Sequence, residues 1–182
     1  MLMELETERL RLRQWQTSDL IPFREMNQDP DVMRFFMNPL SATQSDELAK
    51  TFRLIIQRKG WGFWAVELKS TAQFIGFCGL HEQPNKFTFS PCVEIGWRFS
   101  SSFWSQGLAT EAAERVLQFA FENLSLQQVV AFTSVHNHRS ERLMQRLNMA
   151  RQRTFNHPHI PAEHPLAEHL LYALQRSDFL LS

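Results

Sequence analysis

The segment from residue 92 to residue 124 constrains the fold more than any other part of this sequence. Residues 92–99 (CVEIGWRF) are rich in aromatic and β-branched residues and predict a strand. A short loop containing Gly107 follows, and from Leu108 apolar residues recur at helical spacing to Leu124. A strand, a glycine-containing turn and a helix N-terminus in this order are the parts of an anion-binding site.

The chemistry of that site comes from the backbone. The N–H groups of a first helical turn have no intrahelical partner and carry partial positive charge, and Gly107 has no Cβ to keep a phosphate away. The amides expected to contact the anion belong to Ser105, Gln106, Gly107, Leu108, Ala109 and Thr110. An ordinary helix N-terminus is the alternative. The patterns GxxxxGK[ST] and GxGxxG are absent, which argues against nucleoside triphosphates and dinucleotides.

The remaining patterns predict a single domain over residues 1–182. Further strands are predicted at 6–13, 61–68, 73–80, 128–135, 149–155 and 166–174. Further helices are predicted at 17–27, 44–59 and 137–147.

Composition excludes several classes of function. Nineteen Lys and Arg balance nineteen Asp and Glu, so the excess positive charge of a nucleic-acid-binding protein is missing. No apolar stretch is long enough for a membrane span or a signal peptide, which predicts a cytoplasmic protein with no membrane partner. Cys78 and Cys92 show no metal-ligand spacing and are expected to be free thiols.

Several short motifs occur in an order that resembles the GNAT acetyltransferase superfamily, and within it the branch of the ribosomal-protein N-terminal acetyltransferases RimJ and RimL. The loop Trp104–Ala109, continuing into ThrGluAla, resembles the family's phosphate loop. The other matching motifs are TERLRLR at 7–13, IG at 75–76, VEIGW at 93–97, NHRS at 137–140, LNM at 147–149 and HLLY at 169–172.

The resemblance implies an α/β GNAT fold: a mixed, mostly antiparallel, splayed sheet of six to seven strands with about four helices. Acetyl-CoA would lie in the splay between 92–99 and 128–135, with its pyrophosphate on the loop amides named above. Ile95, Trp97, Asn137 and Ser140 would also contact it, and a backbone N–H near Ile95 or Gly96 would polarise the thioester carbonyl. Transfer would be direct, without a metal or a covalent intermediate.

Three positions depart from the family pattern. Ser105 stands where the branch frequently has Gly. Asn148 replaces another Gly, and Asn is the residue other than glycine that best tolerates the left-handed conformation a helix terminus uses there. Met144 stands where many members have a tyrosine that serves as the acid, and Met cannot donate a proton.

Glu94 is the candidate general base, because it lies on the strand just before the phosphate loop. It would act through a water. The alternative is a structural carboxylate paired with Arg98 on the same strand face. His81 and Glu82 are the reserve candidates.

Ser140 is the candidate that assists the leaving thiolate, as the resemblance to RimL-like proteins implies. It follows Asn137 by three residues, one helical turn along the same face. The alternatives are a helix-surface serine and, for Asn137, an N-cap.

Four histidines (His157, His159, His164 and His169) lie in a Pro-containing stretch without HExxH spacing or nearby cysteines. A polar hairpin loop bordering the acceptor pocket is favoured over a metal site, and no metal is predicted. The aromatic residues that line this pocket or pack in the core are Trp61, Phe63, Trp64, Phe87, Phe89, Trp97, Phe103 and Trp104.

The predicted function is transfer of an acetyl group from acetyl-CoA to a primary amine, with a protein or peptide N-terminal α-amine as the acceptor. One alternative is an acetyltransferase for a small amine or an antibiotic. The alternative of another class is an acyl-CoA-binding regulator without turnover. The resemblance to RimL-like proteins also makes a homodimer an expected assembly.

Overall fold

The computed structural model describes residues 3–179, so the first two and last three residues of the predicted domain lie outside the described part. The strands are β1 Leu5–Glu6, β2 Leu10–Arg13, β3 Phe63–Leu68, β4 Gln73–Gln83, β5 Cys92–Phe99, β6 Gln128–Ser134, β7 Ala150–Asn156 and β8 Glu168–Gln175. The helices are α1 Leu20–Gln28, α2 Ala42–Lys59, α3 Leu108–Glu122, α4 His138–Arg146 and α5 Arg176–Phe179, with 3-10 turns at Thr17–Asp19 and Ser101–Phe103.

The described chain contains eight strands where six or seven were predicted, in a mixed and mostly antiparallel arrangement as expected. The extra strand comes from residues 6–13, which the alternating pattern predicted as one strand. The Thr7 hydroxyl accepts a hydrogen bond from the Leu10 N–H at 2.9 Å and closes a turn. The chain folds back there, so that β1 pairs antiparallel with β2 and Leu5 lies opposite Leu12.

The chain divides into two compact units. The first contains the chain through Leu80 together with Gly96–Val116. Its strands are hydrogen-bonded in the order β1-β2-β3-β4, followed by the C-terminal half of β5. A Cβ on Gly76 would come within 2.3 Å of the Arg98 carbonyl oxygen, so only glycine permits this approach of β4 to β5.

The core of the first unit is aromatic. Its rings make edge-to-face and tilted contacts, with centroids between 4.8 and 6.5 Å apart. They belong to Trp15, Phe23, Phe52, Phe63, Phe74 and Phe77. This packing fixes α1 and α2 on the sheet, and thereby assigns Phe63 to the core among the aromatic residues that were considered for the acceptor pocket.

The second unit contains His81–Ile95 and the chain from Leu117. Here β8 lies between β6 and β7 and pairs antiparallel with both. The parallel ladder between β5 and β6 has one register pair, Glu94 with Val130. The two strands predicted to form the splay therefore share little pairing, and Glu94 lies at the place where they meet.

The helix boundaries follow local signals. Strand β5 and the start of α3 lie where the sequence predicted them. Helix α2 begins two residues earlier than predicted, because Ser41 and Gln44 form a capping box ahead of it. It ends at Lys59, and the C-cap residue Gly60 has a left-handed φ of 81°. Asn148 has a φ of 58° after α4, which confirms the conformation expected of it.

Candidate active site

The predicted phosphate loop connects β5 to α3 within the first unit. Two of its residues have left-handed backbone conformations, Ser105 with a φ of 61° and Gly107 with a φ of 76°. Glu111 donates its N–H to the Gly107 carbonyl oxygen at 3.0 Å and so closes the first turn of α3. The N–H groups of the three preceding residues, 108–110, therefore have no partner within the helix.

The surroundings of this loop fit a phosphate group. Ser105, Gln106 and Gly107 are exposed, whereas the Leu108 side chain is buried in the core. A Cβ built on Gly107 meets only a terminal guanidinium nitrogen of Arg9, at 3.5 Å. An anion would therefore find an accessible backbone at a helix N-terminus. Leu108 would contribute its N–H and not its side chain.

A polar cluster behind the loop was not predicted from the sequence. The two carboxylate oxygens of Glu111 together accept three hydrogen bonds, from the Thr7 hydroxyl (2.5 Å), the Arg9 N–H (2.9 Å) and the Arg9 Nε (2.7 Å). Arg9 Nη1 also donates to the Gln106 carbonyl oxygen at 3.0 Å. Burial raises the pKa of Glu111, but these donors outweigh it and the net pKa is lowered. Thr7 and Arg9 of the TERL motif thus contact Glu111 of the ThrGluAla motif.

Among the carboxyl groups for which a catalytic role was predicted, Glu94 has the pKa that departs most from its ordinary value. Burial raises its pKa to about 7, against smaller lowering effects of the Gln83 side chain and the Lys86 charge. Its Oε2 is buried and has no hydrogen-bond partner among the described residues. A carboxyl group that exchanges its proton near neutral pH suits a general base.

The alternative that Glu94 pairs with Arg98 is not supported. Arg98 Nη1 donates instead to the Asn27 side-chain oxygen at 2.6 Å, and its guanidinium carbon lies 4.3 Å from the centroid of Phe36. The ion pairs found among residues 3–179 do not include Glu94 with Arg98. Burial lowers the Arg98 pKa to about 10, and no carboxylate among the described residues offsets this effect.

The other predicted cofactor contacts on β5 differ in accessibility. The Ile95 side chain is buried, so only its backbone is available to a ligand. Trp97 is partly exposed. A Cβ on Gly96 would lie 3.0 Å from the Phe63 ring, so the aromatic core approaches the strand closely there. The roles assigned to Ile95, Gly96 and Trp97 remain predictions.

Asn137 is the N-cap of α4. Its side-chain oxygen accepts from the Ser140 N–H at 3.3 Å and its amide nitrogen donates to Thr133 Oγ1 at 3.0 Å. Ser140 differs, because its hydroxyl has no hydrogen bond within the described chain. Asn137 therefore has a demonstrated structural role, whereas the Ser140 hydroxyl is available to a ligand.

Tyr172, the only tyrosine of the chain, was not singled out from the sequence as a functional residue. Its hydroxyl donates to Glu141 at 2.8 Å and receives a longer bond from Gln145 at 3.5 Å, so it lies against the first turns of α4. Burial and Glu141 raise its pKa. Met144, at the position where the family's tyrosine was expected, is buried. Tyr172 reaches this helix from β8, the strand that pairs with β6.

The histidine stretch packs on aromatic residues of the second unit. The His157 ring lies 5.0 Å from that of His169 and contacts Phe87 and Phe132. Burial, followed by nearby positive charge, lowers the His157 pKa to about 4, so this imidazole is neutral at pH 7. Burial also lowers the His169 pKa. In residues 3–179, no group of three or more His, Cys, Asp or Glu side chains is arranged to hold a metal ion.

Comparisons with known proteins show the family to which this chain is similar. The protein family described as "Acetyltransferase (GNAT) domain" matches residues 9–150. The uncharacterized N-acetyltransferase YoaA of Bacillus subtilis is 28% identical over 81% of this chain and 83% of its own. The FsC-acetyl coenzyme A-N(2)-transacetylase of Aspergillus fumigatus is 27% identical over 72% of this chain and 58% of its own.

The fold has been seen in solved structures. A GNAT-family acetyltransferase from Bacillus anthracis superimposes with a TM-score of 0.81 over 96% of this chain and 99% of its own, at 23% identity. Within the part of the chain that the structure describes, no helix has the length and apolar character needed to span a membrane.

Proposed function

This chain belongs to the GNAT acetyltransferase family, and we propose that it transfers the acetyl group of acetyl-CoA to an N-terminal α-amine of a protein or peptide. The fold is the GNAT fold and the enzyme is an N-acetyltransferase. The main support for the proposed mechanism comes from the Glu94 carboxyl group. Its pKa is raised to about 7, and its Oε2 has no partner in the described chain.

Each remaining role falls to a group described above. The amides of Ser105, Gln106, Gly107, Leu108, Ala109 and Thr110 hold the pyrophosphate, with further contacts from Ile95, Trp97 and Asn137. Ser140 donates a hydrogen bond to the leaving sulfur, for which its hydroxyl is available. A thiolate with a pKa of about 8.5 needs only modest assistance of this kind. A backbone N–H of Ile95 or Gly96 polarises the thioester carbonyl.

The proton balance favours an α-amine. Glu94 accepts one proton from the bound ammonium group through a water, and the neutral amine then uses its lone pair to form the C–N bond. As the C–S bond breaks, a second proton passes from the nitrogen to the leaving thiolate, so the products are the acetylated amine and the free thiol of CoA. An α-amine with a pKa of about 7.8 is roughly one tenth neutral at pH 7, whereas a lysine amine with a pKa of about 10.4 is almost entirely charged. A carboxylate base with a pKa of about 7 is matched to the first acceptor and not to the second.

Two other functions have a specific observation in their favour. A small-molecule acceptor is favoured by the relative that is named an N(2)-transacetylase. A regulator that binds acyl-CoA without turnover is favoured by Met144, which supplies no proton. We include in the proposal the RimJ/RimL branch and a homodimer, on the basis of the motifs. We also propose a cytoplasmic location.

The test is release of free thiol from acetyl-CoA by the purified protein, with N-terminal peptides, polyamines, aminoglycosides and amino acids as acceptors. We expect turnover with peptides and its loss in Gly107→Glu, because a carboxylate there would repel the pyrophosphate. Gln127→Glu adds the same charge on an exposed loop and is expected to remain active. Turnover only with small amines would support the first alternative. Binding of acetyl-CoA without any turnover would support the regulator.

A further inference from the structure

Two residues behind the phosphate loop, Arg9 and Glu111, have no role in the proposed chemistry. We propose that Arg9 and Glu111 position the Gly107 N–H for the phosphates of acetyl-CoA, and that they do so without touching the ligand themselves. This rests on the proposed function, because it concerns the same loop.

The Glu111 carboxylate anchors the turn between β1 and β2 to α3. Glu111 belongs to the first turn of α3, and its carboxylate accepts three hydrogen bonds from Thr7 and Arg9. One of the donors is a backbone N–H, so the turn between β1 and β2 is fixed to α3 and not merely attracted to it. The side chain of Arg9 is 44% exposed and that of Glu111 19%, so the pair stands at the surface beside the loop.

The guanidinium of Arg9 bonds to Glu111 and to the loop at the same time. While Nε of Arg9 donates to Glu111, Nη1 donates to the Gln106 carbonyl oxygen. These two bonds leave from different nitrogens of one rigid plane, so the position of Glu111 determines where the carbonyl oxygen of the loop is held. A lysine carries the same charge on a single nitrogen and cannot reproduce this geometry.

The peptide bond between Gln106 and Gly107 is trans. In a trans peptide the carbonyl oxygen and the following N–H point in opposite directions. Since Arg9 holds the Gln106 oxygen, the Gly107 N–H is directed away from Arg9, outward from the anchored side of the loop.

The peptide between Gln106 and Gly107 needs this anchor, because its surroundings do not fix its orientation. Gln106 is flanked by two residues with left-handed conformations, Ser105 and Gly107, and all three are exposed. Glycine has wide conformational freedom, so packing does not determine which way this peptide faces. Within the loop, the side chain of Gln106 makes a 3.2 Å bond to the Ser102 oxygen, which does not constrain the peptide plane at Gly107. The bond from Arg9 does.

The charges of Arg9 and Glu111 largely cancel at a distance, since they form an ion pair. The pair therefore acts through orientation of the amide and not through net attraction of the phosphates. Loss of the anchor should weaken ground-state binding of the phosphate-bearing donor, and should leave the chemistry at the thioester unchanged.

The experiment compares two acetyl donors, acetyl-CoA and S-acetylpantetheine, which has the same thioester but no diphosphate. For Arg9→Lys and for Glu111→Gln we expect the Kd of acetyl-CoA by calorimetry and its KM to rise about tenfold, the loss of one hydrogen bond to a charged group. We expect kcat to stay within about twofold, and kcat/KM with S-acetylpantetheine to stay unchanged. Asp46→Asn breaks a comparably exposed bidentate pair with Arg24 and should change none of these values.

Equal losses with both donors would overturn the proposal, because they would indicate a general structural defect. An unchanged Kd in both variants would overturn it as well, and would leave the proposed function intact. Wild-type protein that fails to bind acetyl-CoA would instead overturn the proposed function and, with it, the role of the anchor.

Discussion

Both terminal nitrogens of Arg13 donate to the carboxylate of Asp19, at 2.8 and 2.9 Å, in a pair that is almost fully buried. Nε of Arg13 donates to Glu67 at 2.7 Å. Burial alone lowers the Arg13 pKa, but the two carboxylates outweigh it and the net pKa is raised. The end of β2 is thereby joined to β3 and to the turn that precedes α1.

Removal of the Asp19 charge is therefore expected to be costly. We expect Asp19→Asn to lower the free energy of unfolding by about 3–5 kcal/mol, because it leaves a buried guanidinium without full compensation. Asp46→Asn disrupts an exposed pair with Arg24 and is expected to cost about 0–1 kcal/mol. Urea denaturation of the two variants measures both values, and similar losses in the two would show that burial does not strengthen this pair.

The raised pKa of Glu94 should determine how activity depends on pH. Because the ionised form is the base, kcat/KM should rise with pH up to the pKa of about 7. Glu94→Gln should remove this part of the profile and lower kcat by about a hundredfold or more. Glu114→Gln, on the exposed face of α3, serves as the control and should keep the wild-type profile. An unchanged profile in Glu94→Gln would exclude this carboxyl as the base.

The same group predicts how stability depends on pH. Its pKa is about 7 in the folded protein and near the ordinary value of 4.5 in the unfolded chain, so between these values the folded state holds a proton that the unfolded state releases. The Glu94 contribution to stability therefore falls as pH rises from about 4.5 to about 7. We expect Glu94→Gln to be more stable than wild type at pH 8 although it is less active. Thermal unfolding at pH 5 and pH 8 tests this, since the advantage should be small at the lower pH.

Substitutions at Asn137 and at Ser140 are expected to differ in their effects: the first should change stability and the second activity. Asn137→Ala removes an N-cap and is expected to destabilise by about 1 kcal/mol, whereas Asn137→Ser retains a capping oxygen. Ser140→Ala removes a hydroxyl that has no partner in the described chain, so stability should change by less than about 0.5 kcal/mol. Its kcat should fall about tenfold or more if the hydroxyl assists the thiolate. Chemical denaturation and steady-state kinetics on the same preparations distinguish the two roles, and full activity in Ser140→Ala would assign that serine to the surface.

Asn148 tests the cost of the left-handed residue after α4. Asn148→Gly should be tolerated, because glycine adopts a φ of 58° without steric conflict. Asn148→Val should destabilise by about 1–3 kcal/mol, since a β-branched side chain fits this conformation poorly. Asn148 is exposed, so neither substitution removes buried packing, and the melting temperatures of the two variants can be compared directly. Equal stability of the two variants would mean that the helix terminus rearranges.

Residues close together in the chain were the ones whose structure could be predicted. The amphipathic pattern of α3, the apolar composition of β5 and the glycine between them depend on neighbouring residues, and both elements lie where they were expected. The pattern at residues 6–13 failed although its cause is also local. It reported alternation correctly, but the Thr7 turn that divides it depends on a side chain that closes onto the backbone.

The sequence by itself determined the elements, the glycine loop at a helix N-terminus and the order of motifs that identified the family, because backbone propensity and local turn chemistry act over a few residues. Only the tertiary structure decided which polar groups meet. The bonds of Arg9 to Glu111, of Arg98 to Asn27 and of Tyr172 to Glu141 join residues that are 102, 71 and 31 positions apart. The raised pKa of Glu94 likewise follows from burial, and burial is fixed only when the whole chain packs.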